Sequence, residues 1–343
     1  MPTLPALDIK TNINHSPHLV ILGAGASKAA FPSGDANGRP VPVMSEIVEC
    51  LGLKPSLEKH GLLTEAMDFE TLYDDLYASG DYPDLMKDIE SRVQDYFSQL
   101  CPPDRATIYD YLVLSLREKD IIASFNWDPF LALAWQRNSR AVKLPSIVHL
   151  HGNVEIAVCM ECRVKDFRGN ICQKCTKLLS PTPLLYPVKH KNYDSNPFIK
   201  SEWSELRHFF RRNYLLTIFG YSAPKTDVEA RALLLEAWKD NPTFELAQIE
   251  IIDKKPRKEL EKNWKEFFCR DHYGIFKSVW HSDIFHHPRR SCEAFAMATL
   301  QGSPWHDNPF PRTTRLSKLQ EWARLLWSEE KKGKLSGTPF NFS

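Results

Sequence analysis

The chain has 343 residues, enough for one large α/β core and a smaller module, and its 43% hydrophobic residues suffice to fill such a core. Lys and Arg total 44 against 43 for Asp and Glu, a balance that disfavours a nucleic-acid or anionic-membrane surface and leaves partners to be argued from sites. No stretch approaches the length of a membrane-spanning helix, and Met1 to Ser16 shows no cationic segment leading into an apolar run. A cytoplasmic location is therefore expected, where the eight cysteines stay reduced.

The first element, His18-Leu19-Val20-Ile21-Leu22, reads as a buried strand and stops on Gly23-Ala24-Gly25-Ala26-Ser27. Small residues at that junction let backbone amides approach a pyrophosphate at the positive end of the next helix. The third glycine of a dehydrogenase fingerprint is replaced by Lys28, and the Gly-Lys-Ser/Thr of an NTPase loop is missing, so a tight turn in a sheet is the plain alternative. From 44 to about 117 the spacing turns helical, with helices near 69–77, 85–100 and 107–116 broken by Pro83 and Cys101-Pro102-Pro103. This is read as a helical insertion.

Strand signals return at 121–125, 147–150, 215–219 and 249–252, separated by helical stretches near 130–137, 202–212 and 228–239. The alternation predicts an α/β fold, a doubly wound Rossmann-like parallel sheet covered on both faces, over 18–43 and 118–255. After Lys254 only helices are expected, near 257–268, near 290–300, and a last one with Leu316, Leu319, Ala323 and Leu326 on one face. They form a C-terminal helical extension over 256–343 that ends in a frayed tail of about a dozen residues.

Two strands run into polar residues where apolar ones would otherwise continue: Ser124-Phe125-Asn126-Trp127-Asp128 and His149-Leu150-His151-Gly152. Ligands of open α/β sheets sit beyond the carboxyl ends of the strands, so Asn126, Asp128 and His151 are expected to converge near the glycine loop. Asn126 is suited to orient a ribose or a water, Asp128 to accept from ribose hydroxyls, and His151 to act as a general base, with Gly152 admitting substrate close to the backbone. Against this, Asn126 and Asp128 also suit the cap of a helix starting at Pro129, and His151 a core position. His149 is the competing histidine. It ranks lower because it does not precede the glycine.

Cys159-x-x-Cys162 and Cys172-x-x-Cys175 are separated by nine residues, a two-knuckle spacing that closes a tetrahedral Zn²⁺ site with no open position. The ribbon, 156–178, is thus assigned a structural metal beside His151. A redox pair is the alternative for one C-x-x-C and is disfavoured by the second. A nucleic-acid ribbon, suggested by Arg163, Lys165, Arg168, Lys174 and Lys177, lacks a basic balance to support it. Further on, Gly220-Tyr221-Ser222 ends a buried strand ahead of Pro224 and a helix, and Asp253 ends the next strand. Together they suit the adenosine side of a dinucleotide, or, more plainly, a cap at Ser222 and Asp227 and a turn at Asp253.

Taken in order, Gly-Ala-Gly-Ala-Ser, Ser-Phe-Asn-Trp-Asp, Leu-His-Gly, the two knuckles, Gly-Tyr-Ser and the acidic strand end resemble the sirtuin superfamily over about residues 18–255. The resemblance implies NAD as substrate, with Ala24 and Ser27 in the phosphate loop, Asn126 and Asp128 near the nicotinamide ribose, His151 as the catalytic histidine, and Gly220 and Ser222 on the adenosine side. The protein-deacylating members follow the glycine loop with Gly-Ile-Pro-x-Phe-Arg and carry a peptide-pairing Phe-Gly-Glu after the knuckles. Here Phe31-Pro32-Ser33-Gly34-Asp35-Ala36-Asn37-Gly38-Arg39 and Leu184-Leu185-Tyr186-Pro187-Val188-Lys189 stand in those places, and Pro187 removes a backbone donor. Tyr186-Pro187 and Gly-Tyr-Ser with Asp227 are more similar to bacterial sirtuin-like proteins, several of which are NAD hydrolases in phage defence, whereas the four-cysteine ribbon is closer to the deacylases. The leading expectation is an NAD glycohydrolase acting through Asn126 and His151. The alternatives are an NAD-dependent deacylase or ADP-ribosyltransferase, and a non-catalytic NAD-sensing module. Beside NAD, the expected partner is a second copy of the chain or a co-encoded protein, with no membrane.

Overall fold

A computed structural model describes residues 16–63, 68–189, 193–222, 227–242 and 245–332. Its strands in chain order are β1 (His18–Leu22), β2 (Ile121–Ser124), β3 (Ser146–His149), β4 (Ile156–Cys159), β5 (Val164–Phe167), β6 (Ser180–Pro181), β7 (Leu215–Phe219), β8 (Gln248–Ile252) and β9 (Tyr273–Phe276). Six of them form one sheet in the order β3-β2-β1-β7-β8-β9, and every pairing is parallel. Numbered within the sheet this is 3-2-1-4-5-6, the order of a Rossmann-like doubly wound sheet, whose direction of strand addition reverses between β1 and β7.

Why β1 is a strand, and a central one, follows from its burial. All five residues are buried, and alternate side chains feed two separate cores: Val20 and Leu22 on one face, Leu19 and Ile21 on the other. The first core lies under the helices of the insertion, among them Phe69–Ser79, Pro83–Ser98 and Ile108–Ser115, and under the C-terminal helix Leu316–Lys331. Helices Pro197–Phe210, Val228–Lys239 and Arg257–Trp264 cover the second. Truncating one such side chain, as in Ile21→Ala, costs about 2–5 kcal/mol.

The segment after residue 255 differs from the helical expectation. β9 pairs with β8 and completes the sheet, so the chain beyond Lys254 supplies a strand as well as helices. Tyr273-Gly274-Ile275-Phe276 is four residues long, half-buried and interrupted by glycine, and as an edge strand it carries little periodic signal. Nor does the rest of the extension stand apart. The Tyr111 hydroxyl lies 3.0 Å from the carbonyls of both Pro311 and Thr313, and the buried Arg289 guanidinium pairs with Glu330 at 2.6 Å. Residues 333–343, which include the expected frayed tail, lie outside the described residues, as does Pro224.

Helix Ile108–Ser115 is fixed at its start by a capping box. Asp110 accepts from the Thr107 amide at 2.6 Å and hydroxyl at 2.7 Å, and also holds Arg137 and the Asn138 amide. That anchoring holds the first turn of the helix, whose buried Tyr109 reaches Ser27 beyond the end of β1.

Candidate active site

A cavity of about 720 Å³ opens over the carboxyl ends of β1, β2, β3, β7 and β8. Gly23, Ala24 and Gly25 line it from β1, Asn126 and Asp128 from β2, His151 from β3, Gly220 and Ser222 from β7, and Asp253 from β8. Nine residues singled out in the sequence therefore meet in one place, at the reversal of strand order where such sheets hold ligands. Ala26 and Ser27 do not reach it. Both are buried, and Ser27 faces away from the cavity side into a network with Asp128 and Tyr109.

The glycines have a different cause from the expected approach of a phosphate. A Cβ on Gly23 would sit 2.6 Å from the Gly220 carbonyl oxygen, and one on Gly25 2.9 Å from the Gly220 Cα. The β1 and β7 loops are pressed together, and two amides are already committed to that contact: Gly23 N–H to Phe219 O at 3.1 Å and Gly25 N–H to Gly220 O at 3.0 Å. Ala26 N–H turns back to Gly23 O at 2.9 Å. Ala24, first in its helix, carries an amide of the kind that helix starts leave for a ligand. Gly152 is likewise structural: its φ is +76° and a Cβ there would lie 1.8 Å from the Pro183 carbonyl oxygen, so the chain itself fills the space expected for substrate.

Asn126 is a largely buried part of the cavity floor, with its amide nitrogen donating to Gly23 O at 3.0 Å and Ser27 Oγ at 3.0 Å and lying 3.3 Å from Tyr109 OH. Among the described residues its Oδ1 takes no donor. The backbone around it is held by Asn153, whose Nδ2 donates to Asp128 O at 2.6 Å and Asn126 O at 3.3 Å. Asp128 accepts from Ser27 Oγ at 2.6 Å and, as the helix-cap reading anticipated, from Phe130 N at 3.2 Å. Burial pushes its carboxyl up to about 6, against the opposing pull of those two bonds.

The two histidines of β3 and its exit separate cleanly. His149 is buried away from the cavity, its backbone amide on Glu202 at 2.7 Å, and burial, with Lys165 nearby, lowers its pKa to about 3, which keeps it neutral. His151 lines the cavity with Nε2 3.0 Å from Tyr193 OH and its ring edge-on to Phe125 at 4.8 Å. Phe125 in turn stacks on Tyr221 at 4.2 Å, and Tyr221 OH bonds to Asp227 at 3.2 Å. Asp227 stands at the N-cap of helix Val228–Lys239, but its side chain makes no capping bond and accepts from Tyr221 instead. Asp253 accepts from Lys255 N at 2.8 Å, the expected turn, while also lining the cavity.

Tyr109, Asn153 and Tyr193 were not legible as site residues. Each is far in sequence from what it touches, and each sits in an ordinary local pattern; only the Thr107-x-x-Asp110 box hinted that the helix bearing Tyr109 was fixed in place.

Beside His151, the chain after the ribbon forms a strap. Leu185 N–H donates to His151 O at 2.9 Å, and Tyr186 stacks on Tyr73 at 4.8 Å and leans on Trp127 at 5.2 Å. Lys189 closes it onto Asp74 through its amide at 2.8 Å and its ammonium at 2.6 Å. The helical insertion thus clasps residues 184–189.

In the ribbon, β4 pairs with β5 and β6, and the four cysteine sulfurs lie within 4.8 Å of one another, Cys159 and Cys175 at 3.6 Å. Four thiolates around one zinc at about 2.3 Å would be about 3.8 Å apart, so Cys159, Cys162, Cys172 and Cys175 fit a closed, structural Zn²⁺ site. The residue after each knuckle, Arg163 (φ 52°) and Thr176 (φ 60°), adopts the left-handed turn that folds both thiols of a pair toward one point. Two of the five basic side chains here are already paired, Lys165 with Glu202 and Lys177 with Glu161.

A parallel sheet in this order, with its cavity at the reversal and a four-thiol ribbon at its side, defines a Rossmann-like α/β protein with a zinc-ribbon module. No protein-family model and no curated protein matches the chain. Among solved structures it is similar to a Sir2 in complex with the inhibitor EX-527, 2'-O-acetyl-ADP-ribose and a deacetylated p53 peptide, at 16% identity over 86% of this chain and 98% of that one, with a TM-score of 0.40. A Sir2 homologue bound to NAD matches at 15% over 84% and 95% with a TM-score of 0.40, and a structure from work on the mechanism and regulation of Sir2 enzymes at 14% over 93% and 97% with a TM-score of 0.36. No helix among the described residues is long and apolar enough to cross a membrane.

Proposed function

We propose that the cavity binds NAD and that the protein hydrolyses the bond between nicotinamide and ribose. The observation that carries this reading is Asn126, whose two amide hydrogens are taken by Gly23 O and Ser27 Oγ, with Tyr109 OH close by, while its carbonyl oxygen is left to the cavity that His151 also lines. The C1'–N bond breaks with its electron pair going to nicotinamide, positive charge builds on the ribose, and a fixed carbonyl dipole stabilises that charge only if it is in place beforehand. Water then adds its oxygen to C1', its proton leaving to His151, and ADP-ribose is released. His151 is steadied for this by Tyr193 and by the edge-on ring of Phe125. The adenosine half would lie toward Gly220, Ser222 and Asp253. The occupied strap at residues 184–189 supports water over an acyl-lysine chain as the nucleophile's source, because Leu185 already takes the His151 carbonyl and the insertion clasps Tyr186 and Lys189.

A deacylase or ADP-ribosyltransferase is the second reading, favoured by the four-thiol ribbon and by the extended chain that Leu185 lays beside His151. Nicotinamide release from NAD, measured with and without an acetyl-lysine peptide, separates the two. Release without peptide, lost in Asn126→Ala and His151→Ala, is the expected result. Release that strictly requires peptide and yields deacylated product would overturn it in favour of the second reading, and NAD binding without any turnover would favour a sensing module. The setting proposed with the hydrolase is that of a cytoplasmic effector that consumes NAD in defence against phage. It predicts a fall of cellular NAD on infection that Asn126→Ala abolishes.

A further inference from the structure

Ser27 belongs to the glycine-loop motif yet is buried off the cavity, and the hydrogen bonds around it admit only one polarity. A serine hydroxyl has one hydrogen and two lone pairs. Asp128, as a carboxylate, can only accept, so the hydrogen of Ser27 goes to Asp128 Oδ2 at 2.6 Å. Both lone pairs must then receive hydrogens: one from Tyr109 OH at 2.6 Å, the other from Asn126 Nδ2 at 3.0 Å. The second hydrogen of the Asn126 amide goes to Gly23 O, also at 3.0 Å. An inverted Asn126 would set its Oδ1 against the Gly23 carbonyl and a serine oxygen with no hydrogen left to give.

We propose that Ser27 and Tyr109 are positioning residues that, with Asp128, hold Asn126 so that its carbonyl oxygen faces the cavity. This rests on the assignment of Asn126 as the residue that meets the ribose. Asp128 fixes the direction of the chain of bonds, Ser27 transmits it, and Tyr109 completes the valence of Ser27 from the insertion helix Ile108–Ser115. The glycine loop and the insertion helix are thereby joined behind the site, since Tyr109 bonds directly to Ser27 across 82 positions. The position of the helical insertion and the orientation of Asn126 become one structural variable.

The test uses the full chain and two readouts. In the first, kcat and KM for nicotinamide release are measured for Ser27→Ala and Tyr109→Phe, alone and with Asn126→Ala. A misoriented reacting group costs up to about a hundredfold, so Ser27→Ala is expected to lower kcat by about ten- to a hundredfold and Tyr109→Phe by a smaller factor, each with KM changed less than about threefold. In the Asn126→Ala background neither should lower kcat further. A rise in KM at constant kcat in Ser27→Ala would make Ser27 a ligand-binding residue and overturn the proposal, as would a full additional loss on top of Asn126→Ala. The second readout is independent of activity: the side-chain amide resonances of Asn126 in ¹⁵N-asparagine-labelled protein, assigned by their loss in Asn126→Ala. They are expected to shift and to exchange faster with solvent in both Ser27→Ala and Tyr109→Phe, and unchanged resonances would overturn the proposal. A wild type that releases no nicotinamide would count against the hydrolase, while these resonances would still decide the positioning role.

Discussion

Strand β1 carries a buried polar network at each end, and the two differ in one respect. At its start, His18 bonds through Nδ1 to Ser291 Oγ at 2.7 Å and through Nε2 to Thr217 Oγ1 at 2.8 Å, Thr217 donates to Glu250 Oε2 at 2.7 Å, and Glu250 Oε1 accepts from Asp283 N at 2.8 Å. At its other end stand Ser27, Tyr109, Asn126 and Asp128. All eight of the residues His18, Thr217, Glu250, Ser291, Ser27, Tyr109, Asn126 and Asp128 are buried, so burial does not tell the two apart. The basal network closes on itself, each His18 ring nitrogen having a partner; the upper one leaves a carbonyl oxygen over a cavity. A saturated network specifies a fold, and one with an open valence facing a cavity can do chemistry.

The largest effect that would break this contrast is on rate. Asn126→Ala is expected to lower nicotinamide release by about two orders of magnitude or more, the scale of a lost electrostatic partner, with a melting temperature close to that of the wild type. Retained activity would place the chemistry elsewhere in the cavity. His18→Ala should do the reverse. It orphans Ser291, while Thr217 keeps Glu250, and is expected to cost about 1–3 kcal/mol for the buried group left unsatisfied, with kcat per folded molecule unchanged. Denaturant titration and active-site-normalised rates check both halves of that statement.

A smaller effect, on pH dependence, sharpens the comparison. Burial lowers His18 from 6.5 to about 3, so its unfolded form takes up protons first and stability is lost as pH falls below 6.5. Burial raises Glu250 from 4.5 to about 8, so here the folded form holds the proton longer and stability is lost as pH rises from about 4.5 toward 8. Between about 4.5 and 6.5 the two slopes oppose one another, and above 6.5 that of Glu250 stands alone. Glu250→Gln is therefore expected to flatten the decline of melting temperature between pH 6.5 and 8 and to steepen its fall from pH 6.5 to 4.5, where nothing from Glu250 then opposes His18; an unchanged alkaline slope would contradict the assignment. The ribbon is expected to matter little to rate. Elemental analysis should find about one zinc per chain, and Cys159→Ser/Cys175→Ser should lose it and expose residues 156–181 to exchange, with nicotinamide release falling by less than about tenfold.

How far the sequence alone reached can be read from the same two networks. Strand β1 was legible to the residue, because an unbroken apolar run ending on glycine has few other meanings, and so was the meeting of Asn126, Asp128 and His151 at strand ends, because a parallel sheet aligns those ends by its topology. The four cysteines needed only their spacing. Strand β9 was missed, since a short half-buried edge strand has neither the run nor the alternation that marks a core strand. The roles of Ser27, Tyr109, Asn153 and Tyr193 could not be read either, for a physical reason: hydrogen-bond direction depends on which groups meet across 25 to 103 positions of chain, and residue type limits what a group can donate without saying to whom. The sequence by itself determined five of the six sheet strands, the four-cysteine ribbon and the set of polar residues at the sheet's rim. Only tertiary packing decided that the glycines serve loop contact, that Ser27 turns inward, and that Asn126 keeps its carbonyl for the cavity.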